Sequence, residues 1–247
     1  MDFPPEARAL LAELSAIPYE NLSKVVAKQG RARENALNFS ASWMEDHRRL
    51  GLGGTCFALT HWLKIKMDAL GFSTAYLMAD KRRDKNIHCG LQFESNGRAY
   101  LLDPGYLIFS PLSLPGEDGF SEAHSAPNSI RLEDVADTGA WRLFTGPAGG
   151  LKHRFDFRKE PVASNEFQRH WENSYDWPMM RYPVLNRVAE GTQYYLQKNN
   201  LLVRTEAGSR MTALSPAQVS ETAQTLFGLP RALVEEALEI LKFPRSG

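Results

Sequence analysis

The sequence predicts an α+β protein built from three consecutive blocks of secondary structure in one compact unit. Apolar residues recur at helical spacing through residues 5–70, but the period changes to that of β-strands after Ser73 and becomes mixed beyond Pro161. No linker that would let the blocks separate freely interrupts them. We therefore predict a helical segment, a β-segment and an α/β segment at residues 1–72, 73–160 and 161–247.

The helical segment is predicted to begin and end with an amphipathic helix. The first helix covers residues 5–14, and residues 17–22 then break and restart the helical pattern. The last helix begins at Cys56, with Thr55 as its N-cap and Gly71 as the residue that ends it. A cysteine therefore lies in the first turn of this helix.

A β-hairpin is the main signal in the β-segment. Its strands cover residues 88–94 and 98–103, and Asn96-Gly97 forms a two-residue turn between them. This turn sets a register in which His88 and Asp103 share one face as diagonal neighbours, with about 7–8 Å between their backbones. An imidazole and a carboxylate can meet across that distance.

The opposite face of the hairpin is apolar and is predicted to pack into the core. Cys89 lies on this face, points away from His88 and is predicted to be a structural cysteine. An earlier strand is predicted at residues 73–77, and further short strands between residues 107 and 161.

The α/β segment is predicted to contain a short helix, three strands and two final helices. The first of these final helices opens at Ser215-Pro216, because proline fits the first turn of a helix, and Leu229-Pro230 separates it from the second. The short helix and the strands are predicted near residues 166–172, 193–197, 201–204 and 210–214.

The composition excludes several classes of function. Lys and Arg total 29, as do Asp and Glu, so a net charge of zero gives no general attraction to nucleic acid or to a membrane. The sequence shows neither an export signal nor an apolar run that could span a bilayer, and two cysteines are too few for a disulfide scaffold. We therefore expect a cytoplasmic protein. The six histidines lack metal-ligand spacing, so no metal is predicted.

Cys56 is the candidate nucleophile. It follows a glycine-rich turn, and the unpaired N–H groups and dipole at a helix N-terminus lower the pKa of a thiol. With His88 and Asp103 it would form a triad in which the thiolate attacks, the imidazole moves the proton and the carboxylate orients the ring. The alternative is a small buried cysteine, with His88 making one ordinary hydrogen bond to Asp103.

Several spaced motifs resemble those of the arylamine N-acetyltransferases. The R-G-G-x-C-F-E-x-N stretch of that family matches residues 53–57, and its strand histidine matches His88. Its D-x-G-F-G turn matches residues 103–106, its I-P-F-E-N-L signature matches residues 17–22, and a segment near its C-terminus matches residues 226–229. The resemblance covers nearly the full length of the chain.

This resemblance implies a helical bundle, a central antiparallel β-barrel and a C-terminal α/β lid, with a core like that of cysteine proteases and transglutaminases. It implies an acyltransferase in which Cys56 takes an acyl group from acetyl-CoA or another acyl thioester and passes it to an arylamine or hydrazine, without a permanently bound cofactor. The candidate catalytic residues are Cys56, His88 and Asp103, and the candidate substrate-binding residues are Tyr106, Phe57 and Gly105.

Four positions depart from the family pattern. Leu52 replaces an arginine, Ala58 a glutamate and Thr60 an asparagine, so polar groups that would brace the cysteine loop are absent together. Leu107 stands where the family has the second glycine of its turn, and its bulk would crowd a cofactor or acyl chain. These changes put the identity of the substrates in question.

Three other functions fit the same residues. An amide synthase would use the triad on the thioester of an acyl carrier protein. A transglutaminase-like or papain-like hydrolase would use His88 and Asp103 in a cleft open to a peptide. A binding scaffold without turnover would account for Leu52, Ala58 and Leu107. The basic residues 81–85 could also meet an anionic donor such as coenzyme A.

Overall fold

A computed structural model of the protein describes residues 4–30, 49–117, 119–147 and 149–243. The part of the predicted helical segment at residues 31–48 lies outside this description. The α-helices with described bounds are α1 (Pro5–Ser15), α2 (Leu22–Gly30), α3 (Cys56–Ala69), α4 (Ser164–Asn173), α5 (Pro216–Thr225) and α6 (Arg231–Ile240).

An eight-stranded antiparallel sheet forms a nearly closed barrel in the middle of the chain, as the resemblance implied. Its strands are β2 (Thr74–Lys81), β3 (Asp84–Ser95), β4 (Arg98–Asp103), β5 (Ile108–Ser113), β6 (Phe120–Ser125), β7 (Asn128–Val135), β8 (Ala140–Gly146) and β9 (Lys152–Arg158). The strand order is β5-β4-β3-β2-β9-β8-β7-β6, so the two edge strands are neighbours in sequence.

A second antiparallel sheet joins the two ends of the chain. It consists of β1 (Tyr19–Glu20), β10 (Val184–Ala189), β11 (Thr192–Gln197), β12 (Asn200–Thr205) and β13 (Gly208–Ala213), in that spatial order. The predicted strands in this region are therefore confirmed, whereas β1 and β10 were not predicted. β1 was missed because a two-residue strand in the helical segment gains its partner only through tertiary packing.

The hairpin has the predicted register. Leu91 faces Leu102 and Ser95 faces Arg98, while Asn96 and Gly97 adopt φ angles of 52° and 71°. Both turn residues are thus left-handed, as a type I′ hairpin requires. Cys89 is fully buried with the apolar residues of its face, as the alternation predicted.

Helix α3 is the buried element that carries Cys56 into the centre of the fold. Phe57, Leu63 and Met67 are fully buried, and burial of each such side chain stabilises the fold by roughly 1.5–3 kcal/mol. The helix ends as predicted, because Gly71 has a φ of 84° and donates its N–H to Asp68 O over 2.9 Å.

The start positions of two helices were predicted correctly. Thr55 is the N-cap of α3, but its hydroxyl makes no capping hydrogen bond. Ser215 forms a full capping box with Gln218 at the start of α5. None of the described helices is both long and apolar enough to cross a membrane.

Candidate active site

The predicted histidine and aspartate meet in the structure. Nε2 of His88 and Oδ2 of Asp103 lie 2.7 Å apart, and both residues are buried. The other carboxylate oxygen of Asp103 accepts the backbone N–H of Tyr106 over 2.9 Å, at the start of a short 3-10 turn, Pro104–Tyr106. Both oxygens of the carboxylate are therefore held, and it fixes the orientation of the imidazole ring.

Cys56 lies against this pair at the first position of α3 and is buried. The closeness of the elements is visible at Gly105, where a Cβ atom would lie 2.5 Å from Cβ of Cys56 and 3.0 Å from Cε1 of His88. The Cys56 thiol lies beside the His88 ring, and each of the two groups shifts the pKa of the other. Because Asp103 occupies Nε2, Nδ1 is the ring nitrogen left for the thiol.

The electrostatics of the site favour an ion pair. A hydrogen bond with Cys89 lowers the pKa of the Cys56 thiol, burial raises it, and the hydrogen bond and charge of His88 lower it again, to about 5. Burial lowers the pKa of His88, but the charge and hydrogen bond of Asp103, followed by those of Cys56, raise it to about 10. A thiolate beside an imidazolium is the result at neutral pH.

The position of Cys89 was only partly foreseen. It packs in the core, and its sulfur donates to Oγ1 of Thr60 at 3.6 Å, but its thiol also reaches Cys56. Burial raises the pKa of Cys89 well above the usual value, so this thiol stays protonated beside Cys56. The hairpin pattern could not reveal the contact because it depends on how α3 packs over β3.

The glycine-rich turn before Cys56 packs against the segment at residues 17–22. A Cβ atom on Gly53 would lie 2.1 Å from the carbonyl oxygen of Pro18, and the N–H of Glu20 donates to the carbonyl of Gly54 over 3.0 Å. The two motifs are therefore parts of one structural unit, and this segment braces the cysteine loop.

Asn21 ties the same segment to the C-terminal part of the chain. Its Nδ2 donates to the carbonyls of Met179 and Tyr182 over 2.8 and 2.9 Å, and its Oδ1 accepts the N–H of Val184 over 2.9 Å. This fully buried amide thus satisfies three backbone groups. Its role was missed, because residue pattern alone does not show which backbone a side chain will reach.

The departures from the family motif are accommodated without polar contacts in the loop. Leu52 and Ala58 are 6% and 3% exposed, so apolar packing fills both positions. Thr60 is fully buried and accepts from Cys89. Leu107 adopts a left-handed conformation with φ 61° and ψ 33°, which normally favours glycine, so the turn keeps its shape at the cost of some backbone strain.

Lys24 is a buried cation that the sequence analysis did not identify. It is 3% exposed, its ammonium donates to Oγ of Ser174 and lies 4.3 Å from the centre of the Tyr175 ring. Burial lowers the pKa of Lys24 to about 7, while the charge of the Cys56 thiolate opposes this and raises it. The lysine therefore interacts electrostatically with the thiol of Cys56.

The three candidate substrate-binding residues occupy different environments. Tyr106 lines a cavity, and its ring meets that of His88 edge-on at 6.2 Å between centroids. Gly105 lies against Cys56. Phe57 is fully buried, with its ring centre 5.1 Å from Phe167, a position that favours a packing role; its contact with substrate stays a prediction.

Phe155 is a further aromatic neighbour of the site. Its ring stacks on His88 with centroids 4.1 Å apart and planes inclined by 12°. It forms one wall of the histidine's environment and excludes water from that face. Across the described ranges, no group of three or more His, Cys, Asp or Glu side chains is placed to hold a metal ion.

A buried Cys-His-Asp arrangement between a helical segment and an antiparallel barrel defines a protein with a cysteine-protease-like core. A family model described as N-acetyltransferase matches residues 7–234, and the chain belongs to this family of acyltransferases. The resemblance inferred from the motifs is thereby confirmed. No curated protein matches the chain in sequence.

Solved structures of arylamine N-acetyltransferases share the fold. The enzyme from Mycobacterium abscessus superposes with a TM-score of 0.77 at 18% identity, over 96% of this chain and 87% of that chain. The enzyme from Mycobacterium marinum in complex with CoA gives 0.77 at 19% identity, over 96% and 92%. An enzyme from Bacillus cereus with a Cys-His-Glu triad gives 0.72 at 17% identity, over 93% and 92%.

Proposed function

We propose that the protein transfers an acyl group from a coenzyme A thioester, with acetyl-CoA as the first donor to test, to an arylamine or aryl hydrazine. Cys56 acts as nucleophile, His88 as the proton carrier and Asp103 as the carboxylate that orients it. The observation that carries the proposal is the contact of Cys56 with a histidine whose far nitrogen is held by Asp103 at 2.7 Å. Family membership and the CoA complex of the structurally similar M. marinum enzyme support the choice of donor.

In the first half-reaction the Cys56 thiolate attacks the thioester carbonyl. The tetrahedral intermediate collapses with cleavage of the carbon–sulfur bond to coenzyme A, and the departing thiolate takes a proton from the His88 imidazolium. The product is an acyl-enzyme with a neutral imidazole. Because the donor and the acyl-enzyme are both thioesters, this exchange needs little driving force.

In the second half-reaction the amine attacks the acyl-enzyme. His88 removes the proton from the attacking nitrogen, and the carbon–sulfur bond to Cys56 breaks to restore the thiolate and imidazolium pair. The buried setting of Cys56 and the stacked Phe155 ring keep water away from the thioester until the amine arrives. Transfer is thereby favoured over hydrolysis.

One basic side chain supports a phosphate-bearing donor. Nζ of the exposed Lys81 lies 5.6 Å from the centre of the Phe155 ring, which itself stacks on His88. The Phe155 ring thus lies between this ammonium group and His88, and an anionic donor could approach the site at the end of β2. Lys85, at the start of β3, is paired with Asp80 at 2.8 Å.

Mass spectrometry of the acylated protein tests the proposal. Trypsin places the two cysteines on separate peptides, residues 50–64 with Cys56 and residues 86–98 with Cys89. After incubation with acetyl-CoA and no acceptor, we expect one acetyl group on the first peptide, lost again when an aryl hydrazine is added.

Two variants provide the matched comparison. Cys56→Ala should abolish acetylation, whereas Cys89→Ala should keep the label on the peptide of residues 50–64. Absence of an acyl-enzyme with acetyl-CoA and with longer acyl-CoA donors would refute the proposal. Release of ammonia from a glutamine peptide in its place would favour a transglutaminase-like hydrolase.

A further inference from the structure

The two cysteines of this chain lie together in the core, although one is on helix α3 and the other on strand β3. The chain has only these two, both are free thiols, and both belong to one cluster of buried apolar residues. We propose that Cys56 and Cys89 form a reversible disulfide bond when the protein meets a peroxide, with Cys56 oxidised first and Cys89 as the thiol that then attacks it. This modification lies outside acyl transfer and stops it by occupying the nucleophile.

The packing of α3 over β3 brings the two sulfurs together. Sγ of Cys89 donates to Oγ1 of Thr60 at 3.6 Å. Thr60 follows Cys56 by one turn of α3, and side chains four residues apart lie on the same face of a helix. Cys89 therefore points at the helix face from which the Cys56 thiol projects, and each thiol shifts the pKa of the other.

Burial makes the meeting of the two thiols intramolecular. Cys56 is 4% exposed and Cys89 is fully buried. Cys89 is thus closed to the thiols of other protein molecules, whereas a group held beside it in the same core meets it at a high effective concentration. Hydrogen peroxide has only two heavy atoms and needs little room to reach Cys56.

The two thiols differ in reactivity in the way that such a pair requires. The contact with Cys89 and the charge of His88 lower the pKa of Cys56 to about 5 against the effect of burial, so a thiolate is present at neutral pH. The thiolate is the form that peroxides oxidise. Burial raises the pKa of Cys89 well above its usual value, so this thiol stays protonated and resists direct oxidation. Oxidation therefore begins at Cys56.

In the first step the Cys56 thiolate attacks one oxygen of the peroxide. A sulfur–oxygen bond forms, the oxygen–oxygen bond breaks, and the departing hydroxide takes a proton from the His88 imidazolium to leave as water. The product is a sulfenic acid beside a neutral imidazole. The negative charge of Cys56 is lost in this step, and after burial that contact and charge are what raise the pKa of Cys89. Cys89 thereby becomes easier to deprotonate.

In the second step the sulfur of Cys89 attacks the sulfur of Cys56. The sulfur–sulfur bond forms, the sulfur–oxygen bond breaks, and hydroxide leaves as water with the proton of the Cys89 thiol. Each sulfur has given up one electron, and both oxygens of the peroxide have been reduced to water. A thiol reductant reverses the change, and the disulfide protects Cys56 from irreversible oxidation to the sulfinic and sulfonic acids.

Mass spectrometry after treatment with excess hydrogen peroxide tests the inference. The intact wild-type protein should lose the mass of two hydrogen atoms and remain monomeric. A tryptic digest without reductant should contain residues 50–64 linked to residues 86–98, and dithiothreitol should release the two peptides unmodified. Oxygen atoms added to Cys56 without a link, disulfide-linked dimers, or two unreacted thiols would each overturn the inference.

Substitutions assign the two roles. Cys89→Ser keeps a polar group beside Thr60 but cannot form the disulfide, so its Cys56 should gain oxygen atoms that dithiothreitol does not remove. Labelling of the sulfenic acid by dimedone should be about 10-fold or more above that of wild type. If this variant does not fold, Cys89→Ala takes its place. Cys56→Ala should leave Cys89 unoxidised, because a buried protonated thiol reacts slowly. A Cys89→Ser protein whose Cys56 recovers as fully as in wild type would contradict the role of Cys89.

The same measurements separate this inference from the proposed function. The linked peptide forms without an acyl donor, so it supports the inference even in a protein that is never acylated. Where acylation does occur, prior incubation with acetyl-CoA should protect Cys56, because a thioester has no thiolate to react with the peroxide. A protein that is acetylated on Cys56 but forms no link with peroxide would overturn the inference and leave the proposed function standing.

Discussion

Substitution of Gly105 by alanine should separate the nucleophile from its base. The new Cβ would lie 2.5 Å from Cβ of Cys56, 2.9 Å from its Cα and 3.0 Å from Cε1 of His88. Carbon atoms in contact are about 3.5–4.0 Å apart, so Cys56 and the turn must move away from each other by about 1 Å. None of these atoms is the free end of a flexible side chain, and the clash cannot be relieved locally.

The expected magnitude follows from this displacement. Overpacking of this kind costs about 1–3 kcal/mol of stability. A misplacement of about 1 Å in a catalytic group reduces the rate on the order of 100-fold. The acylation rate of Gly105→Ala should therefore fall far more than its stability, since the shift occurs between Cys56 and His88.

The assay is the rate of acetyl-CoA consumption in the first half-reaction, followed by mass spectrometry, with the melting temperature measured in parallel. Gly116→Ala is the matched control, because a Cβ there meets no atom within 4 Å and its φ is not in the left-handed region. This control should acylate at the wild-type rate. A folded Gly105→Ala protein that acylates within about twofold of wild type would refute the proposed contact of turn and nucleophile.

Three other predictions follow from buried groups. Lys24 has a folded pKa of about 7 against an ordinary value of 10.5, so the unfolded state binds more protons between these pH values and stability rises with pH across that window. Lys24→Met should remove this rise and stabilise the protein at neutral pH by on the order of 4 kcal/mol. Urea unfolding at several pH values measures the free energy of unfolding of both proteins. An unchanged pH dependence in the variant would contradict the prediction. Iodoacetamide should alkylate Cys56 at a rate that is constant above about pH 6 and falls as the pH decreases through about 5. His88→Gln should move the midpoint of this pH profile upwards. A wild-type midpoint near that of a free thiol would count against the ion pair. Gly53→Ala would place a carbon 2.1 Å from the carbonyl oxygen of Pro18 and should lower stability by about 1–3 kcal/mol or more, measured by thermal unfolding.

The candidate site could be predicted from sequence where its geometry is local. Asn96 and Gly97 specify a two-residue turn, and strand alternation then places His88 and Asp103 on one face. The position of Cys56 at the start of a helix could also be predicted from the sequence, because a glycine-rich turn and an apolar stripe at helical spacing define the first turn of α3. That these three residues meet was supported by the family resemblance, since no local pattern places a helix over a hairpin.

Other parts of the site depend on residues far apart in the chain. The pairing of β1 with β10 joins Tyr19 to Asn186, and the buried amide of Asn21 reaches Val184. Such contacts arise from the packing of whole elements, and the residue pattern of either partner carries no signal of the other.

The sequence by itself determined the order of helical, β and mixed segments, the hairpin register and the candidate triad, because periodicity and turn chemistry act between near neighbours. Tertiary structure alone decided that Cys89 reaches Cys56, that Lys24 is buried beside them, and that Arg154 and Arg204 share one cavity. The physical reason is that burial and charge are properties of a place in the fold. The pKa of a lysine departs from its ordinary value when other elements of the fold pack over the side chain and exclude water from it.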